Sequence, residues 1–381
     1  MSYFKKSIAV LLVLMMIVLT GCSSGSNASQ TATAQTTQAS SAETTQDAAY
    51  EYPELTLSLS TMAAEKTGKS YDCRLFIDKV EAESGGKITF KEYFNASLSK
   101  PTANLEAISS GVADCGTVVT LYTPSQLPLA QISYPMPFAP TDPEMISEIM
   151  TQISEAHPEF YEEYEKNNVH VLAYKGNEPY KIYTNVKLAN LSDLDGKKIS
   201  MAGIYYIPWF QSQGTAPVST PAAEVYQAVK TNVSQGMFVY DSLAVEYKYY
   251  EVMKYMYDVG MGARNNDTLC INLDVWDSLD EPTQALLEKC AQEAYDEFHQ
   301  WEIDKMDEWH QALLDAGVEE TVMSYEERAE WAQEALAETD TIQMWIDDVT
   351  ALGYDGSALM QDYFKIAESL GFEWPFDTSK Y

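Results

Sequence analysis

Groups able to do chemistry are plentiful in this 381-residue chain, yet their spacing organises none of them for catalysis. The histidines, His157, His170, His299 and His310, are scattered, and none stands in a His-Glu-x-x-His arrangement. His299 and His310 share a stretch of helical pattern, but at 1.5 Å per residue they are roughly 16 Å apart, too far to hold one metal. The body of the chain has no Gly-x-Ser-x-Gly elbow and no Walker loop, and Gly260-Met-Gly262 is a lone fragment that follows no phosphate-binding pattern. With 57 acidic residues, a carboxylate pair of glycosidase type is expected by chance, so an extracellular hydrolase stands only as a rival reading. Beyond Cys22, the cysteines at Cys73, Cys115, Cys270 and Cys290 lack C-x-x-C and metal-like spacing, and fit one or two disulfides as well as they fit buried thiols. No metal and no cofactor is expected.

Charge and the start of the chain narrow the partners. A formal net charge of −33 excludes nucleic acid and sets the protein against anionic lipid headgroups. Many of the acids fall from Asp280 onward and read as a solvated helical surface. Lys5 and Lys6 precede an apolar run from Ile8 to Leu19, closed by Leu19-Thr20-Gly21-Cys22. As a helix that run reaches about 18 Å against a bilayer core of about 30 Å, so residues 1–21 read as an export signal and not as a membrane span. Leu-Thr-Gly-Cys is similar to the lipobox of bacterial lipoproteins, which implies acylation of Cys22 and attachment to the membrane through lipid. Residues 22–50 are mostly Ser, Thr, Ala and Gln; they cannot offset the entropy of ordering and read as a disordered tether spanning on the order of 25–30 Å.

The remainder, 51–381, carries the periodicities of a folded body. Leu55 to Leu59 alternates as a strand does; Cys73, Phe76, Ile77 and Val80 follow at helical spacing up to Gly85-Gly86; Ile88 to Tyr93 is a second strand. Strand, helix, strand with short connections predicts a parallel βαβ unit. A helix over Thr102 to Ser110 and a strand over Val112 to Val119 extend it, and a helix through Met145 to Ile153 follows. The pattern restarts with strands at Val169 to Tyr174, Lys181 to Asn185, Lys198 to Met201 and Gly236 to Tyr240, with helices near Trp209 and from Pro221 to Lys230. These predict lobe I over about 51–168 plus crossing segments and lobe II over about 169–265, with a cleft between them for a small ligand. The part from about 280 to 381 is helical, opening with a helix from Asp280 to about Ala316 long enough to brace both lobes.

In this order the pieces resemble the solute-binding proteins of tripartite ATP-independent periplasmic (TRAP) transporters, DctP type. The resemblance rests on Ser84-Gly-Gly-Lys-Ile, Leu105-Glu-Ala-Ile-Ser-Ser-Gly-Val-Ala-Asp114, Tyr134-Pro-Met-Pro-Phe138, Leu191-Ser-Asp-Leu-Asp-Gly-Lys-Lys-Ile199, Glu224-Val-Tyr-Gln-Ala228, Tyr250-Glu-Val-Met-Lys-Tyr255 and Asn272-Leu-Asp-Val-Trp-Asp-Ser-Leu279. It implies an α/β, two-lobed periplasmic-binding-protein-like fold of type II with a long helix bracing both lobes. It also implies a small solute, usually an organic acid, delivered to a two-part membrane permease. Binding proteins of ATP-driven importers and sensory receptors share such a cleft and are the alternatives.

Site residues carry over one at a time. The family presents an Arg that grips the ligand carboxylate where this chain has Ser200, a ligand-binding Asn where it has Val239, and commonly another Arg at Lys181. Serine does not replace a guanidinium fork. Lys181 and Arg264 are candidate sources of charge, and Tyr205, Tyr206 and Trp209 are candidate stacking surfaces. The substitutions predict a ligand less acidic than the family norm: a monocarboxylate, an aromatic acid or a neutral polyol-like compound.

Overall fold

The computed structural model describes residues 50–381 apart from Lys66 and Pro221; the expected export signal, Cys22 and all of the expected tether except Tyr50 lie outside the described residues. Two α/β lobes account for the alternating patterns. In the first, β1 (Leu55–Ser60) leads through a 3-10 turn at Gly68–Ser70 into α1 (Tyr71–Glu83), then β2 (Ile88–Tyr93), α2 (Asn104–Ser109) and β3 (Cys115–Val119). β1 pairs in parallel with both β2 and β3, as the βαβ reading requires. The strand expected from Val112 starts three residues later, because Gly111 at φ +72° ends α2 with a turn.

The chain continues with α3 (Pro143–Ala156), whose N-cap Asp142 accepts from the amides of Glu144 and Met145, and α4 (Glu159–Glu165). β4 (Val169–Asn177), placed by sequence at the start of lobe II, instead closes the first sheet, whose order is β2-β1-β3-β10-β4. Lobe II therefore begins at β5 (Lys181–Thr184) and continues with β6 (Lys198–Ser200), α5 (Tyr206–Ser212), β7 (Ala216–Val218), α6 (Ala222–Lys230), β8 (Gly236–Val239), α7 (Asp241–Glu246) and β9 (Tyr255–Asp258). β10 (Arg264–Asn272) returns to lobe I between β3 and β4, antiparallel to both. After α8 (Leu273–Ser278) and α9 (Glu281–Asp315), β11 (Glu319–Val322) joins the second sheet, order β11-β9-β5-β8-β6-β7, and α10 (Tyr325–Glu338), α11 (Thr341–Ala351) and α12 (Gly356–Ser369) end the chain.

Two extended crossings join the lobes, 178–180 and 259–263, and they bond to each other where the Tyr180 amide donates to Gly262 O at 3.2 Å. Gly262 sits at φ +78°, and a Cβ there would lie 2.2 Å from Ala139 O, so the crossing depends on glycine. The Gly260-Met-Gly262 fragment thus lies in the second crossing, the place of a hinge between the lobes. α9 starts on the Asp280 cap and packs on α1, α3 and β4 of lobe I and on α7 of lobe II, the brace predicted. Leu286, Leu287, Cys290, Ala294 and Phe298 are its buried stripe, while Trp301 and Met306 further along are half-buried.

The C-terminal helices form a second fastening. Trp209 Nε1 of α5 donates to Thr341 Oγ1 at 2.5 Å, and that hydroxyl donates to Pro135 O of lobe I at 2.6 Å. Trp345 Nε1 reaches Pro128 O at 2.9 Å. Cys73, Cys115, Cys270 and Cys290 are free, buried thiols.

Candidate functional site

Parallel strands direct the C-terminal ends of β1, β3, β6, β7 and β8 and the loops after them toward the gap between the sheets, where open α/β folds bind ligands. A cavity of about 350 Å³ occupies that gap. Lobe I contributes Met62, Lys69, Lys100, Leu121, Tyr122 and Asn266; lobe II contributes Tyr180, Met201, Thr220, Met237, Phe238, Val239, Tyr240 and Leu243. Among the described residues its wall holds two lysines and no Asp or Glu.

The two lysines differ. Lys100 is exposed at the rim. Lys69 has a side chain 13% exposed, and its Nζ lies 3.4 Å from Asp267 Oδ2 and 5.0 Å from the centre of the Tyr240 ring. Burial works against its charge, but Asp267, Asp72 and Glu246 outweigh burial and raise its pKa, so the ammonium persists. Behind it, Lys175 bonds Asp72 at 2.6 Å, both wholly buried, and stands 4.0 Å from Asp267. Asp267 thus sits between two ammonium groups and outside the cavity wall.

The aromatic side is a packed layer. Tyr180 meets Phe238 at 5.0 Å and Tyr240 edge-on at 5.3 Å, and Tyr206 backs both Tyr180 and Phe238 at 5.9 and 5.2 Å. Burial pushes the Tyr180 and Tyr240 hydroxyls well up in pKa, so both remain neutral donors.

Of the residues nominated from sequence, Val239 lies on the cavity wall, and Tyr206 stands behind it. Ser200 ends β6 fully buried, its hydroxyl without a partner, while its neighbour Met201 faces the cavity. Lys181 turns to the other side of β5, where its Nζ bonds Asp241 at 2.7 Å and His310 Nδ1 at 3.2 Å. Tyr205 donates to Asp348 at 2.9 Å and Trp209 to Thr341, both as parts of the C-terminal fastening. Arg264 is completely buried at the hinge, donating to Ala263 O at 2.7 Å and Met136 O at 2.9 Å, and no carboxylate of the described residues pairs with it. Sequence reasoning missed Lys69, Tyr180 and Tyr240. Tyr180 directly precedes Lys181, and neighbours along an extended segment take opposite sides.

The family model for bacterial extracellular solute-binding protein, family 7 (DctP) matches residues 59–344. The ectoine/5-hydroxyectoine-binding periplasmic protein UehA of Ruegeria pomeroyi is 26% identical over 289 residues, 73% of this chain and 82% of that protein. A TRAP solute-binding protein of Rhodoferax ferrireducens, solved with copurified benzoate, superposes with a TM-score of 0.73 at 20% identity, over 82% of this chain and 98% of that one. An extracytoplasmic solute receptor of Bordetella pertussis binding pyroglutamic acid gives a TM-score of 0.72 at 22% identity, over 81% and 99%. A family match running from β1 into α11, over two lobes that close on a cavity, leads to one conclusion: the chain belongs to the DctP family of TRAP solute-binding proteins.

Proposed function

We propose that this protein is a lipid-anchored extracytoplasmic receptor that captures a small organic anion between its lobes and delivers it to the two-part permease of a TRAP transporter. The family is one of solute receptors, and the chain is not an enzyme. The observation that carries the anion is electrostatic. In a chain with 57 acidic and 24 basic residues, the described cavity wall has two lysines and no carboxylate. A wall of that sign in a low-dielectric cleft favours a negative guest, and its aromatic and thioether side chains favour one with a flat or apolar body. Ectoine, pyroglutamate and benzoate, named with three of the relatives, are small solutes bearing one carboxylate. Ser200 in place of the family's carboxylate-gripping Arg supports a guest less acidic than the family norm, a monocarboxylate over a dicarboxylate. The anchor rests on Leu19-Thr-Gly-Cys22.

Thermal-shift and calorimetric titration with mono-, dicarboxylic, aromatic and neutral solutes tests the receptor reading; failure of every organic anion to raise the melting temperature removes it. For the anchor, Cys22→Ser is expected to move the protein from the membrane fraction to the soluble fraction, and unchanged membrane retention argues against lipidation.

A further inference from the structure

We propose that the solute's carboxylate is seated on lobe I by Lys69, while lobe II receives the body of a single-ring aromatic or similarly compact monocarboxylate. This rests on the cleft being the solute site and assigns its polarity. Lobe II contributes no charged side chain to the described wall: Tyr180, Met201, Met237, Phe238, Val239 and Leu243 make it an apolar and aromatic surface. The Lys69 ammonium has three N–H donors and, among the described residues, one oxygen partner, Asp267, at the outer limit of a hydrogen bond. Its remaining donors are available to a guest, and its countercharge lies behind the wall, so an arriving carboxylate meets an ammonium without meeting the acid.

Position in the fold supports the assignment. Lys69 follows Gly68 in the connection from β1 to α1, a strand–loop–helix setting like that from which phosphate-binding lysines reach their anions. A Cβ on Gly68 would lie 2.8 Å from the Trp301 ring of α9, so the glycine lets this turn rest on the brace helix. Across the gap, Lys69 stands over Tyr240 of lobe II, so one side chain touches both walls. A single shielded ammonium matches one carboxylate; a dicarboxylate or phosphate dianion brings a second negative charge, for which the described wall offers only the exposed Lys100.

The test is calorimetry of the full mature chain with benzoate, phenylacetate, their neutral amides and a dicarboxylate, using wild type, Lys69→Gln, Lys69→Arg and Lys181→Gln. Wild type is expected to prefer acid over amide by about 100-fold, Lys69→Gln to erase that preference, Lys69→Arg to restore most of it, and Lys181→Gln to keep it, as a charge-assisted bond predicts. Retention of the acid preference by Lys69→Gln, or tighter binding of the dicarboxylate by wild type, overturns the Lys69 assignment and leaves the receptor reading standing. Binding of none of the acids by folded wild type overturns both. Loss of acid preference in Lys69→Arg together with Lys69→Gln, with urea midpoints well below wild type, assigns Lys69 to folding and also overturns the proposal.

Discussion

At the scale of single residues, the resemblance located the strands that border the cavity but not which of their side chains line it. Lys181 and Tyr180 are adjacent, yet one enters an ion pair with Asp241 and the other lines the cavity. Strand alternation reverses an assignment when the register is off by one. Lys69 left no trace because a three-residue turn has no periodicity to read. Lys181→Ala is therefore expected to leave solute affinity unaltered and to destabilise the fold by roughly 3 kcal/mol, since it strands the buried Asp241 carboxylate. A urea midpoint and a titration on the same sample separate the two effects. Tyr183 and His310 also hold Asp241, and they bound the loss.

At the scale of elements, most of the fold was legible because amphipathic periods are long signals. β1, α1, β2 and α9 lie where their patterns place them. The lobe assignment of β4 was not legible, since a strand's apolar pattern does not name the sheet it joins; β10, distant in sequence, captures it. The hinge was equally hidden, because its determinants are close backbone contacts. Gly262→Ala is expected to cost roughly 2 kcal/mol or more, through positive φ and the clash with Ala139 O, measured as a fall in urea midpoint. Thr341→Val leaves Trp209 Nε1 and Pro135 O without partners across the lobes and is expected to cost about 1–3 kcal/mol.

Glu178, on the first crossing, gives the stability of the fold a pH dependence. Burial pushes its carboxyl up to about 7 from 4.5, against the hydrogen bond it accepts from the Ser242 amide and with Asp241 adding to the rise. The folded protein thus keeps a proton that the unfolded chain releases between these values. Its contribution favours folding below about 4.5 and is lost as pH rises toward 7. Glu178→Gln is expected to flatten the decline in melting temperature between these pH values, and an unchanged slope contradicts the assignment.

At the scale of the whole molecule, an acid-rich surface encloses a wall that carries lysines and no described acid. A negatively charged guest diffusing in from afar first meets repulsion from a body of net charge −33 and feels attraction only within the gap. Mobile salt shortens the reach of that repulsion from about 30 Å at 0.01 M to about 8 Å at 0.15 M, while the desolvated contact at Lys69 is little affected. Stopped-flow tryptophan fluorescence is expected to show association accelerating with added salt and dissociation hardly changing; slower association would mean that the gap's local field dominates at long range. Solute capture is accordingly expected to be faster in brine than in fresh water.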